Sequence, residues 1–193
     1  MSWLNLASWI PCTEVEGPGK RAALWVQGCD KRCVGCCNPS YLKIVQRNIL
    51  SADTMIECLL AAHQQWDLEG VTFLGGEPFL QAQGLAAVAE GVSRTGLSVM
   101  TFTGYTMQEL HEMSLPGTHE LLAWTDVLVD GPYESLSPDS RRNWVGSTNQ
   151  RFHYLTNRYD ASIEGAGIPE REVEWRIRDD GHLVVNGWPC SIK

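Results

Sequence analysis

The sequence predicts an α/β fold built on a mostly parallel sheet and closed by a C-terminal β-hairpin, and two patterns carry this. Between Ala22 and Asp130, short apolar runs alternate with segments of helical periodicity, the order that lays parallel strands against crossover helices. From Glu172 the pattern changes to apolar and alternating residues on either side of Gly181, as a β-hairpin requires. A length of 193 residues, 44% of them hydrophobic, suits one domain around one sizeable core.

Taken in order, a first strand is expected near Leu4 to Ile10, and Gly17, Pro18 and Gly19 turn the chain towards Ala22 to Val26, a buried strand. A cysteine-bearing loop then runs from Gly28 to about Arg47. Ser51 is the expected N-cap of a helix reaching Trp66, with Met55, Leu59, Leu60 and Ala62 on its apolar face. Gly70 to Leu74 is the next strand, stopped by Gly75, Gly76, Glu77 and Pro78, and Gln81 to Arg94 reads as a helix. The third strand of this alternation, Ser98 to Thr103, ends at Gly104. Short helices over Met107 to Met113 and His119 to Trp124 lead to a fourth, Val127 to Asp130. Gly131 to Arg151, rich in Ser, Pro, Asp and Arg, reads as a long functional loop before an apolar run from Phe152 to Leu155. Residues 160 to 169 form the linker candidate, and the hairpin spans Glu172 to Arg178, a turn at Asp179, Asp180 and Gly181, and His182 to Asn186. In a fold of this class, loops at the carboxyl ends of the parallel strands carry the chemistry.

Bulk composition excludes several functions. A formal charge of −8 argues against nucleic acid as a partner, because phosphate backbones are bound by clustered Lys and Arg. Arg141, Arg142, Arg151 and Arg158 are a local exception, read as a solvated loop or as a surface for an anionic ligand. No run of apolar residues is long enough to span a membrane. The N-terminus carries no basic residue before Glu14 and Glu16, which fits neither a secretory signal nor a transit peptide, so a cytoplasmic location is expected.

The seven cysteines are Cys12, Cys29, Cys33, Cys36, Cys37, Cys58 and Cys190. Four of them fall within nine residues, a spacing for metal ligation or redox chemistry rather than a disulfide framework. Cys29, Cys33 and Cys36 spell C-x3-C-x2-C on a loop able to wrap one inorganic cube. An iron–sulfur electron carrier is held by four cysteines, so three leave one iron of a 4Fe–4S cluster open to another ligand. Zinc completed by Cys37 or a histidine is the alternative. Adjacent cysteines point in different directions, which argues against Cys37 as a fourth ligand. Cys12 and Cys58 read as small hydrophobes, and Cys190 has no assigned role. His63, His111, His119, His153 and His182 show no metal-type spacing, and the tryptophans are spread along the chain as core residues.

Together with Gly17-Pro18-Gly19, the turn Gly75 to Pro78, Phe102 to Tyr105, Asp126 to Pro132 and Gly146 to Gln150, the cysteine motif resembles the radical S-adenosylmethionine activating enzymes of glycyl-radical enzymes, of the anaerobic ribonucleotide reductase kind. The resemblance covers Glu16 to Leu155. It implies a partial (β/α) barrel of the radical S-adenosylmethionine type over residues 1–159, with 160–193 as an extension packed on the same domain; a complete eight-unit barrel takes about 250 residues. It implies Cys29, Cys33 and Cys36 as the catalytic and metal-binding set, a 4Fe–4S cluster and S-adenosyl-L-methionine as cofactors, and cleavage of the latter to a 5′-deoxyadenosyl radical. Gly75, Gly76, Glu77 and Pro78 would hold the cofactor's amino group, their glycines letting backbone approach ligand. Thr103, Asp130 and Asn38 would add further cofactor contacts. The family's aromatic residue before Asn38 is replaced here by Cys37, which leaves adenine stacking unassigned, with Tyr41 nearby. The implied partners are a glycyl-radical enzyme as substrate and flavodoxin or ferredoxin as electron donor. A radical enzyme acting on a peptide or small molecule, and a noncatalytic iron–sulfur or zinc protein, are the competing readings. The chain continues past Gln150 to Lys193, beyond the family's usual end.

Overall fold

A computed structural model describes residues 2–165, 172–177, 181 and 183–187. The expected turn residues Asp179 and Asp180, His182, Cys190 and the end of the linker candidate lie outside the described residues. The chain runs β1 (Trp3–Thr13), β2 (Arg21–Val26), β3 (Asn48–Ser51), α1 (Ala52–Trp66), β4 (Gly70–Gly75), α2 (Ala82–Ser93), β5 (Ser98–Phe102), α3 (Met107–Glu112), α4 (Thr118–Ala123), β6 (Val127–Asp130), β7 (Arg151–Tyr154), β8 (Val173–Ile177) and β9 (Leu183–Gly187).

Seven strands form one mixed sheet in the order β3-β1-β2-β4-β5-β6-β7, and β8 and β9 form a separate hairpin. β2, β4, β5 and β6 are parallel neighbours. β1 and β3 add an antiparallel edge on one side and β7 on the other. Among the described residues no further strand pairs with β3 or β7, so the sheet they bound is unclosed.

The sheet is covered unequally. Leu4, Leu6, Leu24, Val26, Val71, Phe73, Val99 and Leu128 form one core with Met55 and Leu59 of α1, Leu85 and Val88 of α2, Leu110 of α3 and Leu121 of α4. All four helices thus lie on one face, whereas the alternation by itself allowed helices on both. The other face carries Ala23 and Trp25 with Ala7, Ile10 and Tyr41, and Met100, Val127 and Val129 with Val145, Trp144 and Tyr159. Loops rather than helices line that side, the arrangement of a barrel left open. Local signals act as expected: the Ser51 side chain caps α1 by accepting from Thr54 N, and Thr106 and Glu109 form a reciprocal capping box on α3.

Arg21 ties the amino ends of three strands together while fully buried. Its guanidinium donates to Thr72 Oγ1 (2.8 Å), Val71 O (2.8 Å), Ser98 Oγ (2.9 Å) and Pro18 O (3.1 Å). Tyr159 reaches the same cluster, its hydroxyl 2.8 Å from Ser98 Oγ and donating to Glu69 Oε1 at 2.5 Å. A buried cation needs this many acceptors to offset its lost hydration.

The hairpin presents polar side chains to the sheet. Glu174 accepts from Thr13 Oγ1 (2.8 Å) and Glu14 N (2.9 Å), Arg176 donates to Cys12 O (2.7 Å), and Asn186 donates to Thr13 Oγ1 (3.0 Å). Gly187 N donates to Glu16 Oε1 at 2.8 Å. Burial pushes the Glu16 carboxyl up to about 7, against the pull of the Gly187 and Asn186 donors. An acid whose folded value is raised holds its proton more tightly when folded, so the stability it confers is full below the unfolded value and is lost as pH climbs through about 7. Glu16→Gln keeps the accepting oxygen without the charge. Its melting temperature is expected to lose part of the wild-type decline between about pH 4.5 and 7, on the order of 5 °C, in a pH series of thermal melts.

Candidate functional site

Four parallel strands deliver their carboxyl ends to one rim. β2 runs into Gly28 and Cys29, β4 into Gly76 and Glu77, β5 into Thr103, Gly104 and Tyr105, and β6 into Gly131. The cysteine loop is closed at its base, where Gly28 N donates to Tyr41 O (2.8 Å) and Cys29 N to Leu42 O (3.1 Å).

Glu77 holds the rim together. It is 1% exposed, and its carboxylate accepts from Phe79 N (3.0 Å), Thr103 Oγ1 (2.8 Å) and Gly104 N (2.8 Å). Burial pushes its carboxyl up to about 7, while these three donors pull it down. Glu77 N itself donates to Gly28 O at 2.8 Å. One residue thereby joins the turn after β4 to both the cysteine loop and the end of β5.

The glycines of that turn are demanded by the chain's own backbone. Gly75 has φ +112°, and a Cβ there would lie 2.6 Å from Trp25 Cα and from Val26 N; a Cβ on Gly76 would lie 2.2 Å from Gly28 O. Where the sequence suggested room for a ligand, the structure shows β4 pressed against the root of the cysteine loop.

Cys29 is buried, and Cys33 and Cys36 are half-buried. Burial pushes the Cys29 thiol up, opposed by the nearby backbone N–H groups of Arg32 and Lys31. The neighbouring Cys37 thiol draws the Cys36 thiol down, and Cys36 together with burial pushes the Cys37 thiol up. Asn38 N also points at Cys36 Sγ, 3.4 Å away. Among the described residues no three His, Cys, Asp or Glu side chains converge closely enough to hold a metal ion. The donor chemistry nevertheless fits an iron–sulfur cluster: three thiols on one short loop, with Asn38 N directed at the Cys36 sulfur as the N–H groups that stabilise thiolate ligands are. At the end of β6, Asn149 Nδ2 donates to Pro132 O at 2.7 Å, while Asn149 Oδ1 is buried without a hydrogen-bond partner among the described residues. This unpaired acceptor and the turn after β4 suit a ligand carrying amino and hydroxyl donors.

A family described as a 4Fe-4S single cluster domain matches residues 15–153. The anaerobic ribonucleoside-triphosphate reductase-activating protein of Enterobacteria phage T4 is 33% identical over 155 residues, covering 77% of this chain and 93% of its own length. The protein of the same name from Vibrio cholerae serotype O1 is 31% identical over 160 residues, covering 79% of this chain and 99% of its own. The chain belongs to the family of these activating proteins. The homologue of that name from Escherichia coli K12 is 29% identical over 168 residues.

Within this activating-protein family member, the structure brings Cys29, Cys33, Cys36 and Asn38 onto one loop and sets Gly76 and Glu77 against its root. Thr103 and Asp130 also lie at the rim, but their side chains are engaged within the protein. Thr103 donates to Glu77 and accepts from Tyr105 N at 3.1 Å. Asp130 accepts from Met107 N at 2.6 Å, at the start of α3. His153 Nε2 lies 3.0 Å from the same carboxylate without the geometry of a hydrogen bond. The motif from Gly146 to Gln150 is a brace: Gln150 Oε1 accepts from Gly146 N (2.8 Å) and Ser147 N (3.1 Å).

Sequence reasoning missed Asp30, Lys31 and Glu109 altogether. Tyr105, noted only as part of a motif, donates its hydroxyl to Asp30 Oδ2 at 2.5 Å. Lys31 Nζ pairs with Glu109 Oε1 at 2.8 Å and lies 4.0 Å from the centre of the Tyr105 ring. Three ionisable residues, Asp30, Lys31 and Arg32, between the first and second cysteines were the available signal, since charges beside a metal motif call for partners.

Proposed function

We propose that this protein activates a glycyl-radical enzyme of the anaerobic ribonucleotide reductase kind, with a 4Fe–4S cluster held by Cys29, Cys33 and Cys36. The observation that carries the reading is the lacing of a three-cysteine loop, through Glu77, to the turn Gly75 to Pro78 and to Thr103 and Gly104. Cys29, Cys33 and Cys36 would hold the cluster, which when bound would supply the single electron for cleaving S-adenosylmethionine and hence the power to abstract hydrogen.

The protein's own residues bind and orient. Backbone groups of Gly75, Gly76 and Pro78 face the cofactor's amino group, with the Glu77 carboxylate fixing the turn. Asn38 meets the cofactor from the cysteine loop, while Thr103 and Asp130 serve it by holding Glu77 and the β5–α3 turn in place. The unclosed sheet, with β3 and β7 as its outermost strands, leaves the loop-lined face accessible to a protein segment carrying the target glycine. Flavodoxin or ferredoxin fits as the reductant, in the cytoplasm; among the described residues no helix is long and apolar enough to cross a membrane.

The test is anaerobic reconstitution of the full chain, reduction, and incubation with S-adenosylmethionine and an anaerobic ribonucleotide reductase. A carbon-centred doublet on the reductase in electron paramagnetic resonance, with 5′-deoxyadenosine released, is expected. Release of 5′-deoxyadenosine without the doublet would point to a peptide or small-molecule substrate instead; no release from cluster-loaded protein would overturn the reading.

A further inference from the structure

The stretch between the first two cysteines is fastened to the sheet at two points, and both fastenings converge on Tyr105. Asp30 receives the Tyr105 hydroxyl at 2.5 Å, and Lys31 packs over the same ring, 4.0 Å from its centre, while pairing with Glu109 at 2.8 Å. Gly104 makes the approach possible: a Cβ there would meet Lys31 Cγ at 3.0 Å.

Tyr105 is itself immobilised. The residue is 8% exposed. Its backbone N–H donates to Thr103 Oγ1 (3.1 Å) and its carbonyl accepts from Gly131 N (2.8 Å), so its ring is placed by the ends of β5 and β6 together. Glu109 is fixed as well, since Oε2 accepts from Thr106 N at 2.7 Å in the capping box of α3.

What this clasp orients is the spacer between the first two cysteines. Asp30 and Lys31 directly follow Cys29, so their partners fix the chain, and the charges on it, where it leaves the first thiol. Arg32 holds φ +50°, a left-handed conformation that a non-glycine residue keeps only where its surroundings impose it. The net charge beside a ligand sulfur helps set an iron–sulfur cluster's reduction potential: a carboxylate left without its donor, or a cation removed, makes it more negative.

We infer that Tyr105 is a positioning residue for the cluster. Acting through the Asp30 carboxylate, with Lys31 locked on Glu109, it orders this part of the loop before iron arrives and, by satisfying the charges beside Cys29, sets the cluster's potential. The inference rests on the three-thiolate site proposed above. Asp30 and Lys31 are thus a tuning device built into the spacer of the motif.

Tyr105→Phe removes the one hydroxyl and keeps the ring. In the cluster-free full chain, amide hydrogen exchange at residues 30–32 should become roughly tenfold faster, the loss of one charge-assisted hydrogen bond, with β4 and β5 unchanged. In the reconstituted protein, with iron content equal to wild type, the midpoint potential should move to a more negative value. Unchanged protection together with an unchanged potential would overturn the inference, and so would faster exchange spread across the sheet with the potential held, which marks a merely structural tyrosine. Should Tyr105→Phe fail to fold, Lys31→Met leaves the phenol in place and deletes the Glu109 pair; it should move both readouts in the same directions, and no movement of either counts against the clasp. If wild type takes up no cluster, the three-thiolate site itself has failed, while exchange in the cluster-free chain still reports on the clasp.

Discussion

Replacing Cys29, Cys33 or Cys36 by serine, one at a time, is expected to strip the cluster and abolish formation of 5′-deoxyadenosine, whereas Cys37→Ser should keep both. Binding free energy of a four-ligand metal site, on the order of 10–16 kcal/mol, shared among its thiolates gives about 3 kcal/mol each, or roughly a hundredfold in affinity per ligand lost. No other cysteine among the described residues is placed to substitute. Cys12 and Cys58 pack against the helical core. Cys37 is exposed and adjacent in sequence to Cys36, and side chains of neighbouring residues leave the backbone in different directions. Iron and sulfide analysis of the four variants after anaerobic reconstitution checks this, and equal iron loading in Cys29→Ser and wild type would remove Cys29 from the ligand set.

The second large effect is expected at a residue with no side chain. In Gly76→Ala the new methyl would lie 2.2 Å from Gly28 O and 2.8 Å from its carbonyl carbon. Both are backbone atoms at the root of the cysteine loop, and the same oxygen accepts from Glu77 N. Neither partner can rotate away. The strands must part, with a loss of about 2–4 kcal/mol in stability, a melting temperature lower by roughly 10 °C, and a loop root displaced enough to weaken cluster retention. Gly96→Ala is the matched control: a Cβ there meets nothing within 4 Å, and φ +93° is the only penalty, about 1 kcal/mol. Thermal melts and iron content of the two variants separate a clash at the loop root from a general cost of replacing glycine.

Most elements were legible because their signals are local. The run from Ala22 to Val26 and the Ser51 cap read correctly, and Val127–Asp130 and the hairpin strands fell where alternation and turn residues put them. β3 was not expected: its residues lie between the end of the cysteine loop near Arg47 and the Ser51 cap. It is four residues long, its Ile49 is 49% exposed, and it exists only by pairing with β1; an edge strand made by its partner leaves little pattern of its own. Arg21, between the Gly17–Gly19 turn and the run from Ala22, carried no expectation, and only the convergence of β2, β4 and β5 explains its burial.

The site divides in the same way. The cysteine spacing is a sequence property and was visible, as was the turn Gly75 to Pro78. Its reason was not: the glycines answer to Trp25, Val26 and Gly28, whose approach is fixed by the parallel register of β2 and β4. Thr103 and Asp130 were read as polar groups at a mouth, and the structure turns them onto Glu77 and Met107. The clasp of Asp30 and Lys31 spans more than seventy residues of sequence. Pairings across such separations are set by strand order, which no local pattern encodes.

The central claim is that three thiolates of one loop hold a four-iron cube and leave one iron for S-adenosylmethionine. Mössbauer spectroscopy of the reconstituted, iron-57-enriched protein, with and without S-adenosylmethionine, tests it most directly. One iron of the four should change its isomer shift when S-adenosylmethionine is added while the other three hold theirs. Four irons indifferent to the addition, or a preparation that binds zinc in place of iron, would contradict it.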